Sequence, residues 1–147
     1  MENKRINVAI IGAGINGLYL GYKLAQKGHK ITVLEKKSEA GNKVCSGLFS
    51  SRILDFIPEA EKLIENKITC AILHFPKRNI KINFSKEFLV MDHSKLDKMM
   101  AEMAKNKDVN IYFNKEIKKI PFGFDRIIGA DGANSSIRKI LKLKSPK

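Results

Sequence analysis

With 147 residues, 44% of them hydrophobic, the chain can bury one ordinary core, so one compact domain is expected and two full-sized ones are not. Its 28 Lys and Arg against 15 Asp and Glu leave a net charge of +13. That charge favours phosphate-bearing ligands or an anionic surface, but the lysines are spread out with no interleaved aromatics, which argues against nucleic acid.

The chain opens with "INVAIIGAG", a β-branched run ending in glycine. "INGLYLGYKLAQKG" follows, with Leu18, Tyr22 and Ala25 at helical spacing and Gly28 as the stop. "KITVLE" is a second β-rich run, completing a βαβ unit that implies a parallel sheet with a right-handed crossover. The uncharged stretch Ile6 to Tyr22 has the look of a short membrane span or signal peptide, but Gly12, Gly14, Gly17 and Gly21 interrupt it and favour strand, turn and helix. Residues 36–50 read as a Gly/Ser-containing loop. Short helices are expected over 51–57 and 58–66, the second with Pro58 in its first turn.

From 68 to 92 the period changes to two. Ile80, Ile82 and Phe84 alternate with Lys81 and Asn83, and "PKRN" supplies a turn, so a hairpin and a third strand through "EFLVMD" are expected, the start of an inserted lobe. "DHSKLDKMMAEMAKN" returns to helix, with Asp92 or Ser94 as N-cap and Leu96, Met99, Met100 and Met103 as its core-facing stripe. "VNIYF" predicts a strand, "EIKKI" a weaker one and "DRIIGAD" another, and "NSSIRKILKL" predicts a terminal helix. The expected fold class is α/β: a Rossmann-like βαβ sheet with a small antiparallel insertion, within one domain over 1–147. Cys45 and Cys70 show neither disulfide-framework nor CxxC spacing, and His29, His74 and His93 stand apart, which argues for reduced cytoplasmic thiols and against a metal site.

Gly12-Ala13-Gly14-Ile15-Asn16-Gly17 matches the GxGxxG pattern in the context that makes it specific, after a strand and opening a helix. Gly12 permits the tight turn, Gly14 lets backbone approach a pyrophosphate, and Gly17 lets helix and strand pack closely. The helix N-terminus, from Ile15 and Asn16, offers free N–H groups and a positive dipole end to phosphate. Glu35 ends the second strand about 20 residues on, where an acid accepts from a ribose diol. Its charge would repel a 2′-phosphate, so the adenosine held here belongs to FAD or NAD. Lys36, beside it, is counted among the cofactor-binding positions.

"FDRIIGADGANSSIRKIL" carries Asp131, Gly132, Ser135 and Arg138 in the pattern DGxxSxxR. From the residues alone, Gly132 can take a positive φ, Arg138 can pair with carboxylate or phosphate, and Asp131 can accept from amides, whether as part of a site or as a helix cap. The stretch resembles the Asp-Gly motif of flavoprotein monooxygenases and the related geranylgeranyl reductases. That resemblance implies FAD, with the motif beside the flavin pyrophosphate. "GNKVCSGLFS" resembles the Gly…Cys-x-Gly loop of archaeal geranylgeranyl reductase relatives, which would bring Cys45, Ser46 and Gly47, after Gly41, past the flavin; Cys45 also reads as a small buried residue. "VMDHSKLD" resembles the family's Asp-Arg helix start, with His93 in place of the arginine and so a weaker phosphate contact. Ile117 would by the same resemblance give backbone contact to adenine, though an apolar strand residue fits packing equally well.

The resemblance covers about the first two-fifths of a typical family member and implies hydride transfer from reduced flavin to an isoprenoid carbon–carbon double bond. The electron donor would be NAD(P)H or a ferredoxin-like protein. A Gly-Asp segment closing the flavin pocket has no counterpart after Arg138, so a truncated or split enzyme is expected, with a complementing chain as partner. The alternative is a stand-alone dinucleotide-binding module or an inactive remnant. An isoprenoid or other hydrophobic substrate would bring the cytoplasmic protein into peripheral contact with a membrane, aided by its basic surface.

Overall fold

The computed structural model describes residues 4–41 and 45–144. In chain order the elements begin with β1 (Asn7–Ile11), α1 (Ile15–Gln26), β2 (Lys30–Leu34), β3 (Leu48–Ser50) and α2 (Ile53–Phe56). A 3-10 helix (Pro58–Leu63) precedes β4 (Ile64–Phe75) and β5 (Arg78–Met91). α3 (His93–Lys105), β6 (Asn110–Tyr112), β7 (Arg126–Gly129) and α4 (Ser136–Ile140) complete the chain. Two compact units result, one of Met1–Asn42 with Asp97–Lys147, the other of Lys43–Leu96.

The first unit is the doubly wound sheet expected from the βαβ pattern. Its four strands run in the order β6-β2-β1-β7, every pair parallel. β1 lies inside, with Val8, Ala9, Ile10 and Ile11 all buried, the near-continuous apolar run that a strand covered on both faces requires. α1 covers one face, where Gly21 approaches Ile10, Ile31 and Val33. On the other face Ile137 of α4 packs with Ala9 and Ile11, joined by Leu34, Ile117, Phe124 and Ile127. α1 ends where Gly28 takes φ +83°, the left-handed stop that glycine permits.

The second unit is a three-stranded antiparallel sheet, order β3-β5-β4. β4 and β5 form one long hairpin, with Phe75 opposite Arg78 across the two-residue turn Pro76-Lys77. "EFLVMD" is therefore no separate strand but the second half of β5. The polar Ser85-Lys86, which reads as a break, falls where the register jumps from the Ile68–Phe88 pair to Cys70–Asn83, so a bulge absorbs it. The third strand is instead β3, in the stretch expected to be loop, pairing Leu48–Ser50 with Phe88–Val90.

Three further expectations change. The second short helix stops at Leu63 and Ile64 already belongs to β4, because pairing with Met91 overrides a weak local helical preference. "EIKKI" forms no strand; Ile117 packs on the core from irregular backbone while its lysines stay exposed. The terminal helix is only five residues, Ser136–Ile140, ending before Lys142 at φ +52°.

Candidate functional site

In an open parallel sheet, ligands bind beyond the carboxyl ends of the strands where successive connections leave in opposite directions. Here that point is the β1–β7 pair: β1 is followed through α1 by β2 on one side, while β7 joins on the other, with Ile11 beside both Leu34 and Gly129. The glycine loop leaves the end of β1 and the Asp131 turn leaves the end of β7. The topology thus brings together two stretches 117 residues apart, counting from Gly14 to Asp131.

Gly12 takes φ +109°, and a Cβ on it would lie 2.5 Å from the carbonyl oxygen of Ala130. Its own N–H donates to Leu34 O at 2.8 Å, so no side chain fits between the two loops. A Cβ on Gly17 would collide with the Gly12 carbonyl and reach within 3.3 Å of Ala130 Cβ. The close packing that Gly17 allows is therefore between helix and loops more than between helix and strand. Gly14 is different: at φ −79° and ψ 174° it is extended backbone that any residue adopts. What it contributes is an N-cap without a side chain, and α1 has no side-chain cap hydrogen bond and no acid in its first turn. The amide donors from Ile15 onward are thus left for an anion.

Glu35 spans the mouth of this loop. Its Oε2 accepts from Ala13 N at 2.7 Å and its Oε1 from Lys37 N at 2.9 Å. A carboxylate offers about four lone-pair sites, so both oxygens keep capacity for a ribose diol while anchoring the loop. Lys36 is exposed.

On β7's side, Asp131 Oδ2 accepts from Ser136 N at 2.6 Å and Ile137 N at 3.3 Å, and Ser135 Oγ accepts from Arg138 N at 3.0 Å. Asp131 is therefore a helix cap. Its other oxygen, Oδ1, is buried with no protein donor among the described residues, so the same carboxylate presents an open acceptor. Partial burial alone would raise its pKa, but hydrogen bonds from Ser135, Ile137 and Ser136 win and hold it below the ordinary aspartate value. Gly132 takes φ +82° with nothing within 4 Å of where a Cβ would lie, so the turn needs glycine for its backbone and not for space. Arg138 reaches back to the Ala133 carbonyl at 3.5 Å, bracing the turn from within.

The remaining expected positions divide differently. Cys45, Ser46, Gly47 and His93 lie in the second unit, where with Glu65, Val90, Met91, Asp92 and Ser94 they line a cleft of about 290 Å³. Gly47, at φ +69°, is held against β5: its carbonyl accepts from Met91 N at 2.9 Å, and a Cβ on it would lie 2.6 Å from Met91 O. Cys45 is exposed, which corrects its reading as a small buried residue; it sits on loop backbone ahead of β3. Asp92, and not Ser94, caps α3, accepting from Ser94 N at 2.7 Å. His93 stacks in a tilted contact with Phe49, centroids 5.5 Å apart. Glu65 carries no sequence signal, because only the β4–β5 register brings it near residue 92. Gly41 adopts φ +84°; residues 42–44 lie outside the described residues. Ile117 is a core residue in irregular backbone. Among the described residues no cluster of three His, Cys, Asp or Glu is poised to hold a metal.

A family model described as DAO, FAD dependent oxidoreductase, matches residues 7–68. A thiamine thiazole synthase of Pyrococcus furiosus is 26% identical over 88% of this chain and 47% of its own length. A digeranylgeranylglycerophospholipid reductase of Methanothrix thermoacetophila is 25% identical over 96% of this chain and 31% of its own. A Methanosarcina barkeri protein of uncharacterised function, from the nifH2 5′ region, is 27% identical over 90% and 86%. Among solved structures, a geranylgeranyl bacteriochlorophyll reductase-like protein of Thermoplasma acidophilum superposes with a TM-score of 0.70 at 22% identity, covering 88% of this chain and 40% of that one. The chain thus spans less than half the length of the thiazole synthase and the phospholipid reductase. Residues 7–68, which hold the glycine loop and Glu35, match the FAD dependent oxidoreductase model, and FAD is the cofactor that goes with that match; the sheet they begin is Rossmann-like.

Proposed function

We propose that this chain is the FAD-binding portion of an oxidoreductase of geranylgeranyl reductase type, acting on an isoprenoid or similarly hydrophobic substrate. The observation that carries the cofactor assignment is the pairing at the switch point: uncapped amide donors at α1 beside an acid anchored by Ala13 N, with a buried open acceptor on Asp131. The donor set suits a pyrophosphate and its riboses. Amides from Ile15 onward would hold the diphosphate, Glu35 a ribose diol, and Asp131 Oδ1 a hydroxyl of the cofactor. When bound, FAD supplies hydride transfer to a carbon–carbon double bond. The chain's own residues bind and orient: Gly12 and Gly17 keep side chains out of the loop junction, and Asp131, held ionised by its hydrogen bonds, stays an acceptor across the neutral range.

The substrate type is supported by the phospholipid reductase relative. A second reading, a self-standing nucleotide-binding module, is favoured by the Methanosarcina relative, 86% of whose length this chain spans. Calorimetric titration with ADP and FAD tests the cofactor assignment, with Glu35→Ala expected to weaken both about tenfold. Reoxidation of chemically reduced FAD by a geranylgeranyl lipid, accelerated by the protein, separates the enzyme from the module; acceleration by neither this chain nor its mixture with a complementing chain would favour the module.

A further inference from the structure

The far half of the β4–β5 hairpin leaves large apolar side chains in solvent: Ile72 is 53% exposed, Leu73 44%, Phe75 48% and Ile82 42%. Residues directly paired across antiparallel strands share a face, and the register pairs Ala71 with Ile82 and Leu73 with Ile80, with Phe75 on the same side. One face is thus an apolar strip that ends at Arg78, paired with Phe75, while the other holds Ile72 opposite Lys81 and His74 opposite Asn79. Between 66 and 86 the chain has five Lys or Arg and no Asp or Glu. Lys77 and Arg78 sit at the turn, and the Arg78 guanidinium lies 6.0 Å from the Phe75 ring centre.

We infer that this hairpin docks on an anionic lipid bilayer, its apolar strip at the acyl boundary and Lys77, Arg78 and Lys81 among the headgroup phosphates. Long basic side chains can keep their charge in the headgroup layer while their stems follow the apolar face inward. Charge selects this occupant. A second copy would set the same basic hairpin against itself. A single strand of nucleic acid would need aromatic platforms where the hairpin mostly offers aliphatic side chains. No helix among the described residues is long and apolar enough to cross a membrane, so contact through this hairpin would be peripheral. The inference does not depend on the FAD assignment.

The test is co-flotation of the full chain with phosphatidylcholine vesicles, with or without phosphatidylglycerol, and with ADP affinity measured in parallel. The wild type should float with the anionic vesicles and at least about tenfold less with the neutral ones. Leu73→Ser with Phe75→Ser, and separately Lys77→Glu with Arg78→Glu, should each cut flotation about tenfold while ADP affinity stays unchanged. Lys107→Glu with Lys139→Glu, an equal charge change elsewhere, should float like the wild type. The proposal is overturned if the wild type does not float, if either hairpin variant floats undiminished, or if the two charge-reversal pairs behave alike. It is also overturned if the Leu73/Phe75 variant instead loses a dimer seen in the wild type, or if the wild type prefers RNA to anionic vesicles.

Discussion

Glu35 and Ala13 are joined by a 2.7 Å hydrogen bond from the Ala13 amide to Oε2, so the acid that would read the ribose also fixes the loop that would cradle the phosphates. Fold and binding are coupled through one side chain. Glu35→Ala removes the acceptors of two amides, Ala13 N and Lys37 N, and hydrogen bonds to a charged acceptor contribute about 1.5–3 kcal/mol each. Urea denaturation without ligand should therefore show a loss of about 2 kcal/mol, water recovering part of the amide bonding. If nucleotide affinity falls while unliganded stability is unchanged, the anchoring role is wrong and the carboxylate serves the ligand alone.

Gly12 and Gly21 make opposite predictions from the same substitution. An alanine at Gly12 must hold φ +109° and place Cβ 2.5 Å from a backbone oxygen that cannot rotate away; a loss of at least about 2 kcal/mol is expected. At Gly21, inside α1, the nearest atoms to a Cβ are side-chain methyls of Ile10, Ile31 and Val33, each at 3.5 Å. That is ordinary contact, so Gly21→Ala should stabilise by about 0.5–1 kcal/mol through helix propensity. Chemical denaturation of both variants decides it, and the pair fails together if Gly21→Ala destabilises as much as Gly12→Ala.

The βαβ start was legible because its signals are local: a β-branched run, a glycine turn, helical spacing and a glycine stop all lie within residues 6–35. Gly12 and Gly132 were legible for the same reason, each demanding a positive φ at its own position. What was hidden depends on pairing. β3 is three residues long and exists because β5 offers it an edge; β5 runs through Ser85-Lys86 because a bulge takes up the mismatch. Glu65 enters the Cys45–His93 cleft through that same register. The sequence pattern left Asp131 as cap or site residue, and the structure uses one oxygen as cap and leaves the other open.

The two cysteines should report the second unit's loop directly. Cys45 is exposed and Cys70 only partly so, within the paired portion of β4. An aromatic disulfide reagent should label one thiol rapidly and the other at least about tenfold more slowly, since thiol reactivity requires access. Cys45→Ser should remove the fast phase. Two equal phases, or a fast phase that survives Cys45→Ser, would contradict the loop's placement ahead of β3.

The Asp131 carboxylate sets an acid limit on stability. Its pKa in the folded chain lies below the ordinary aspartate value because hydrogen bonds to the ionised form outweigh partial burial. A group whose folded pKa is depressed stabilises fully above its unfolded pKa and loses that contribution as pH falls through the folded one. The stability gap between wild type and Asp131→Asn should therefore be constant from neutral pH down to about 4, near the unfolded aspartate value. Below that it should shrink, as protons compete with the amides of Ser136 and Ile137 for Oδ2. Denaturation midpoints across the acid range measure the gap. A gap that instead shifts in the wild type's favour as the pH falls from neutrality would mean that burial and not the cap controls this carboxylate.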